Sequence, residues 1–271
     1  MSMEETFSVV KPLHCRFPRL TRTLALVTLA AAATLQAQQA SGPQLPRRVD
    51  PKAQQLLNRA IQALGGQAFL NVKTLTTKGR VYAIRDESTA GLAPYQSYVQ
   101  YPDKRRFSYG KTPPVILINN GDKGWELDRY GLINQPKEQI ERWIASNRYS
   151  LENLLRERIN EPGVLVQTGG VDFVDNAPTQ GIEITEAGGS NVRLDLNRQT
   201  FLPTRITYQV RNPKTGDWDE YADVYADYKP ADGIQTPMHI TRYANGDRVG
   251  ETFRNSAHYD EDYPANYFTP E

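Results

Sequence analysis

The chain has 271 residues, and its 32 basic and 31 acidic residues give a formal net charge of +1. With charges so balanced, nothing directs the protein electrostatically to nucleic acid or to an anionic surface, and we expect neither as a partner. The only cysteine, Cys15, precedes the first apolar run, whereas the acceptor cysteine of a lipoprotein would follow that run. We therefore expect neither a lipoprotein nor a fold that depends on disulfides.

Residues 1–37 have the pattern of a secretory signal peptide. Basic residues precede an uncharged apolar run over 24–35, which is too short to cross a bilayer at ~20 residues. Cleavage after Ala37 would remove four basic and two acidic residues, leaving 28 and 29 and a net charge of −1. We predict an exported, periplasmic protein, with an uncut membrane anchor as the alternative. The basic residues are Lys11, Arg16, Arg19 and Arg22.

A polar leader and a helix open the mature chain. Residues 38–49 contain two prolines and few apolar side chains, which predicts a flexible leader before a domain over 50–271. Asp50 and Pro51 suit the N-cap and the first helical position, and Gly65-Gly66 ends the helix. The apolar face of this helix contains Leu56, Leu57, Ala60, Ile61 and Leu64.

Short strands follow in two runs, one between residues 75 and 128 and one between 164 and 253. Apolar and polar residues alternate within them, as from Ile206 to Val210, so we predict antiparallel strands with one covered and one solvated face. Between the runs, residues 140–144 and 151–159 have the spacing of amphipathic helices. The sequence therefore predicts a mainly β (α+β) domain of about 11 antiparallel strands with three covering helices.

Three local patterns occur in order over residues 51–271. The first is Ala63-Leu-Gly-Gly followed by Val72-Lys-Thr-Leu and Gly79. The second is the hairpin Asn120-Gly-Asp-Lys-Gly-Trp-Glu-Leu. The third joins Leu194-Asp-Leu and Leu202-Pro-Thr-Arg-Ile to the segment from Tyr228 to Pro237 and the tail Phe268-Thr-Pro. Taken in this order, the three patterns resemble the LolA/LolB-like superfamily of outer membrane lipoprotein-sorting proteins.

The resemblance implies a curved, incomplete half-barrel that is lidded by helices and holds the acyl chain of a lipoprotein or lipid. The protein would then be a periplasmic lipid- or lipoprotein-binding carrier or sensor. Carriers of this superfamily use a buried strand arginine to hold the lid, and Arg80, Arg106 and Arg205 are the candidates by residue type.

Under this interpretation the apolar inner face of the sheet binds lipid and the helices form the lid. The lipid-binding residues would be Val81, Phe107, Leu127, Leu194, Ile206, Tyr208, Ile240 and Phe253. The lid residues would be Leu57, Ile61, Trp143 and Leu154. A fully packed core is the alternative, because the same side chains would fill a sandwich without leaving a cavity.

The sequence offers little for catalysis or for metal binding. It has no Gly-x-Ser-x-Gly elbow, and its glycine pairs at 169–170 and 188–189 are not followed by a helix and a lysine. His239 and His258 are nineteen residues apart and lack converging donors. We expect no enzyme activity, no cofactor and no metal. The alternative function is a cell-envelope interaction module with a packed core, whose open sheet edge or tyrosine-rich face binds an envelope protein.

Overall fold

The computed structural model describes residues 45–212 and 215–270, and the predicted signal peptide lies outside them. Within these ranges the chain forms one 14-stranded sheet, four α-helices and one short 3-10 helix. This confirms the mainly β prediction, with more strands than the expected 11 or so. None of the helices in the described ranges has the length and apolar character needed to span a bilayer.

The first helix begins and ends where the sequence predicts. The Asp50 carboxylate accepts hydrogen bonds from the backbone N–H groups of Lys52 and Ala53, which caps the helix. Gly65 ends it with φ 134°, a conformation that side chains other than glycine rarely adopt. The helices are α1 (Pro51–Leu64), α2 (Gln67–Asn71), α3 (Lys137–Arg148) and α4 (Leu151–Arg156), with the 3-10 helix at Arg158–Asn160.

The strands fall into the two predicted runs. The first run, preceded by the short β1 (Arg48–Val49), contains β2 (Thr74–Arg85), β3 (Ser88–Gln100), β4 (Lys104–Tyr109), β5 (Val115–Asn120), β6 (Lys123–Asp128) and β7 (Gly131–Asn134). The second run contains β8 (Leu165–Val174), β9 (Ala177–Thr185), β10 (Asn191–Asn197), β11 (Pro203–Arg211), β12 (Trp218–Ala231), β13 (Ile234–Ala244) and β14 (Asp247–Tyr259).

The two runs join into a single open sheet. Its order is β1-β8-β9-β10-β11-β12-β13-β14-β2-β3-β4-β5-β6-β7, so β1 and β7 are the edges and do not pair with each other. Each pair of neighbours is antiparallel except β1 with β8, which is parallel. The flexible leader was predicted to extend to residue 49. Its last two residues, Arg48–Val49, instead form strand β1 and pair with residues 165–166.

The sheet wraps around its helices. Helix α1 contacts both β8 and β13, which have four strands between them. Register shifts in β10, β13 and β14 mark bulges, which bend strands. At the junction of the two runs, a Cβ added to Gly79 would lie 1.9 Å from the carbonyl oxygen of Phe253. Only glycine allows β2 and β14 to approach so closely at that point.

We call the face of the sheet that contacts the helices the inner face and the opposite one the outer face. On the side of β8–β11, α1 and α4 pack directly onto the inner face and form the core. On the side of β2–β5, the outer face is covered by the C-terminal tail, residues 260–270. Tyr263 Oη and Thr76 Oγ1 lie 2.7 Å apart, and Arg106 Nη1 donates to the carbonyl of Tyr267 at 3.3 Å. Phe268 is buried there.

Candidate binding cavity

The inner face is not packed over its whole width. Under α3 and the start of α4, a cavity of about 370 Å³ lies against β2–β4 and β12–β14. Val81, Phe107 and Ile240 line it, and Thr252 connects Val81 to Ile240 as a cross-strand partner of both. Because cross-strand partners share a face, these side chains form one continuous wall.

A second, larger cavity of about 700 Å³ adjoins the first under α3. It is lined by Leu117 of β5, by Tyr208 and Val210 of β11, and by Tyr221 of β12, among other residues. Four residues line both cavities: Arg105, Trp143, Ser146 and Arg242. Both volumes fall in the range of about 300–1,000 Å³ that is typical of small-molecule sites.

Helix α3 spans the two cavities and is fixed at both ends. Before it, the buried side chain of Gln135 donates to the carbonyl of Trp125 at 3.0 Å and accepts from Asn119 Nδ2 at 2.9 Å. In between, Trp143 is the one described residue of α3 that is buried, with 5% of its surface exposed. The indole closes the cavities from the helix side.

The C-terminal end of α3 is held by a carboxylate after β9. Glu186 accepts from Arg148 Nε at 3.0 Å and from Tyr149 Oη at 3.0 Å. Burial, followed by the charge of Glu186, raises the pKa of the Tyr149 phenol. Arg148 also pairs with Glu161 at 2.6 Å. A third contact at this end is Asn147 Nδ2, which donates to the carbonyl of Pro102 at 2.8 Å.

The first cavity is more polar than the sequence suggested. Six charged side chains line it: Arg105, Glu152, Asp223, Arg242, Glu251 and Arg254. Arg242 donates to both oxygens of Asp223 at 2.7 Å, and Glu251 is paired with Arg248 at 3.0 Å. Arg105 forms no salt bridge with a carboxylate of the described residues.

The electrostatics of the wall follow from this arrangement. Burial and, to a smaller extent, the positive charge of Arg242 together lower the pKa of Arg105 to about 10. Burial also acts to lower the pKa of Arg242, but the Asp223 carboxylate raises it above the ordinary value. Burial raises the pKa of Tyr101 and Tyr225 well above that of a free phenol, so both hydroxyls stay neutral.

The predicted lipid-binding residues lie in three different places. Val81, Phe107 and Ile240 line the first cavity, and Tyr208 lines the second. Leu194 and Ile206 are fully buried in the packed half and reach neither cavity.

Leu127 and Phe253 lie on the outer face. Leu127 pairs with Ile116, one residue before the cavity-lining Leu117, and its side chain therefore points away from the cavity. Phe253 stacks on His239 with ring centroids 4.0 Å apart, and its neighbours Thr252 and Arg254 line the cavity instead.

The predicted lid residues divide in the same way. Trp143 covers the cavities, whereas Leu57 and Leu154 are fully buried core residues and Ile61 packs against the core from the side. The part of the fold that covers the cavities is therefore α3 with the start of α4, and α1 belongs to the core.

None of the three candidate arginines faces the cavities. Arg80 is exposed, Arg106 bonds to the C-terminal tail, and Arg205 pairs with Asp172 and Asp195 on the outer face. The arginines of the cavity are Arg105, Arg242 and Arg254. A signal for two of them was present, because Arg105 is two residues from Phe107 and Arg242 is two from Ile240, which places each pair on one face.

The described residues contain no group of three or more His, Cys, Asp or Glu side chains that could hold a metal ion. His239 stacks on Phe253, and His258 lies 3.7 Å from Asp232. The two histidines therefore have separate surroundings.

No family model matches the chain, and no curated protein matches it significantly. Solved structures do. A DUF1329 family protein from Desulfovibrio piger superposes with a TM-score of 0.52 at 12% identity, covering 80% of this chain and 96% of that one. A putative outer membrane lipoprotein-sorting protein domain from Vibrio parahaemolyticus gives 0.50 at 10% identity, covering 80% and 97%.

The chain has a LolA-like fold. The resemblance predicted from the sequence is thus confirmed for the fold, over most of the described domain. A LolA superfamily protein from Nitrosomonas europaea also superposes, with a TM-score of 0.49 at 16% identity and coverages of 80% and 97%. At such identities the likeness concerns the fold alone, and function has to be argued from the cavity.

Proposed function

We propose that this protein is an exported, non-enzymatic carrier or sensor that holds the acyl chain of a lipid or lipoprotein in the cavities under α3. The observation that supports the proposal is the split of the inner face into a packed half and an open half. A sheet that served only as a scaffold would gain stability from packing its whole inner face. The cavities lack this stabilising packing, as is usual for a ligand-binding site.

Apolar wall residues would supply the binding free energy. Val81, Ile240 and Phe107 lie in the first cavity, and Leu117 and Val210 lie in the second. Each methylene that moves from water to such a wall is stabilised by about 0.8 kcal/mol. A chain that passes from one cavity to the other runs beside Trp143, which borders both.

In this proposal α3 acts as a strap that is displaced for loading and release. Its C-terminal attachment at Glu186 consists of side-chain contacts that are partly exposed to solvent, with 31% of the Arg148 side chain accessible. Exposed ion pairs contribute about 0–1 kcal/mol, so a partner or membrane surface could release this end at low cost. The Gln135 attachment is buried and would serve as the fixed end.

The test is uptake of a fluorescent fatty acid by two matched variants. Ile240→Glu places a charge in the wall of the first cavity, whereas Val249→Glu makes the same kind of change on β14 at an exposed position beside the cavity-lining Gly250. We expect Ile240→Glu to weaken binding at least tenfold and Val249→Glu to leave it unchanged, with both melting cooperatively. Equal affinity in the three proteins, or no uptake by the unmodified protein, would refute the proposal.

One observation favours the alternative function as an interaction module. The edge strand β7 pairs only with β6, and it exposes Ile133 with 59% and Leu132 with 44% of their surfaces. An unpaired edge with apolar side chains can accept a strand from another protein. The expected signature is saturable capture of an envelope protein that is lost in Ile133→Lys and retained in Ile240→Glu. Capture that survives Ile133→Lys would exclude this edge.

A further inference from the structure

The junction of the two cavities is positively charged. Of the four residues that border both cavities, two are arginines, Arg105 and Arg242, and none is acidic. Asp223 neutralises Arg242, with Nε and Nη2 as the donors. The positive charge of Arg105 has no such partner.

Arg105 is poorly satisfied by the protein around it. Its Nε atom is buried and has no hydrogen-bond partner, and its Nη2 atom makes one long contact of 3.4 Å to Asn119 Oδ1. The guanidinium also lies over the ring of Phe107, 5.5 Å from the centroid. Arg105 as a residue is half-buried, but its Nε is out of contact with water. A guanidinium in such a position normally has a carboxylate or several hydrogen bonds, because an unpaired charge inside a protein is costly.

The other acids of the first cavity do not compensate Arg105. Asp223 is used by Arg242 and Glu251 by Arg248. Glu152 lies on α4, and its charge acts on Arg254 and on the surrounding tyrosines. The second cavity adds Glu138, Glu141 and Asp219, and none of them forms a salt bridge with Arg105: Glu141 pairs with Lys137, and Asp219 accepts hydrogen bonds from asparagine side chains. Among the described residues, no carboxylate forms a salt bridge with Arg105, which leaves its charge available to a ligand in the cavity.

We propose that Arg105, assisted by Arg242, binds the oxyanion head of an amphiphile, a carboxylate or a phosphate, at the junction of the two cavities. This inference rests on the proposed function and specifies its ligand class. A guanidinium presents several N–H donors in one plane and matches both kinds of oxyanion, with short and strong charge-assisted bonds. The acyl chain would extend from that point along the apolar walls.

The experiment compares four probes by isothermal titration below their critical micelle concentrations: dodecanoate, dodecyl phosphate, dodecanol and inorganic phosphate. The variant is Arg105→Met, which keeps an unbranched side chain and removes the charge. The control is Arg80→Met, an identical change at an exposed arginine on the opposite face of β2 from Val81.

We expect the unmodified protein to bind dodecanoate or dodecyl phosphate at least tenfold more tightly than dodecanol. Arg105→Met should lose this preference and keep its affinity for dodecanol, and Arg80→Met should behave like the unmodified protein. Arg105→Met should also be at least as stable as the unmodified protein, because no protein carboxylate loses its partner. A purely structural role for Arg105 would instead lower the melting temperature and leave the headgroup preference intact.

The other outcomes separate this inference from the proposed function. Equal affinities for all three dodecyl probes would overturn the headgroup site and leave the acyl carrier standing. A further outcome is that inorganic phosphate binds as tightly as dodecyl phosphate and that Arg105→Met binds neither. This would support the oxyanion site, identify a free anion as its ligand and contradict the acyl carrier. Binding of none of the four probes would overturn both.

Discussion

Arg242 donates two hydrogen bonds of 2.7 Å, from Nε and Nη2, to the two carboxylate oxygens of Asp223 at the wall of the first cavity. Asp223 has 5% of its surface exposed, whereas the Arg242 side chain retains 44%. The carboxylate therefore fixes the guanidinium in the wall and leaves its other side towards the cavity.

Removing the charge of Asp223 should release Arg242. We expect Asp223→Asn to lower the free energy of unfolding by about 2 kcal/mol, because a charged hydrogen-bonded pair is lost but the guanidinium remains partly hydrated. Urea titration measures this change. Asp172→Asn is the matched control, since Asp172 pairs with Arg205 at the exposed outer face. A loss as large in Asp172→Asn would contradict the special role of the cavity pair.

The packed and open halves of the inner face should respond differently to truncation. Ile206 is fully buried in the core, whereas Ile240 borders the cavity. Ile206→Ala should cost about 2–5 kcal/mol, and Ile240→Ala should cost less because its site already has free space. Chemical denaturation of the two variants gives the comparison. Equal losses would mean that the inner face is packed throughout.

Trp143 should report on the cavities. It is buried at 5% exposure, while Trp218 is exposed at 51%. Ligand uptake should change the tryptophan emission, and the change should disappear in Trp143→Phe but persist in Trp218→Phe. Trp143→Ala should also destabilise the protein by about 3 kcal/mol, at the low end for a buried aromatic residue, because part of the indole faces free space. An emission change that persists in Trp143→Phe would place the ligand elsewhere.

The attachment of α3 at Glu186 should control the opening of the strap. We expect Glu186→Ala to cost about 1 kcal/mol and to raise amide hydrogen exchange across residues 137–148 more than in the core strands. The control is Glu183→Ala, three residues earlier on β9, which removes a partly exposed ion-pair partner of Arg193. Unchanged exchange in α3 after Glu186→Ala would show that this contact does not hold the helix.

The cap of α1 should depend on pH in the acid range. A hydrogen bond from the Thr168 hydroxyl lowers the pKa of Asp50 below its ordinary value. Burial opposes this shift, and the N–H groups of Ala53 and Lys52 add to the lowering. Since the folded-state pKa is depressed, the stabilisation is complete above the unfolded value of about 3.9 and is lost as the pH falls through the folded value.

Asp50→Asn keeps a capping side chain but removes this charge. The difference in melting temperature between Asp50→Asn and the unmodified protein should therefore be constant above about pH 5 and should shrink below about pH 4. A difference that stays constant down to pH 2 would contradict the role of the Asp50 charge.

Much of the fold follows from local patterns in the sequence. Asp50, Pro51 and Gly65 delimit α1 as their chemistry predicts, and strict alternation identifies strands such as β10 and β11. The elements that were missed are short. Two residues of β1, four of β7 and five of α2 contain too few positions for a period to show.

The faces of the strands were harder to predict than the strands themselves. Apolar residues were assigned to the inner face, but Leu127 and Phe253 lie on the outer one. On that face Phe253 packs against the rings of His239 and Tyr82, and the C-terminal tail, with Phe268, covers β5. Contacts with distant segments of this kind leave no periodic signal in the strands. Arg105 was overlooked in favour of Arg106, although alternation from Phe107 already placed Arg105 towards the cavity.

The sequence also could not divide the inner face into a packed half and an open half. Ile206 and Ile240 have the same apolar character and the same alternating context, yet one is in the core and the other in the cavity wall. The difference follows the helices that cover the sheet: α1 and α4 pack directly onto the half that contains Ile206, whereas α3, attached at Gln135 and Glu186, covers the cavities. The alternation of apolar and polar residues within a strand carries no information about such tertiary contacts.

The most direct test of the account is native mass spectrometry, with organic extraction, of the mature domain purified from a periplasm without added lipid. We expect one molecule of an anionic amphiphile, a fatty acid or a phosphate-bearing lipid, to accompany the protein at close to one-to-one and to be depleted in Arg105→Met. A clean unliganded mass from a protein that also fails to take up a fluorescent fatty acid would contradict the carrier function.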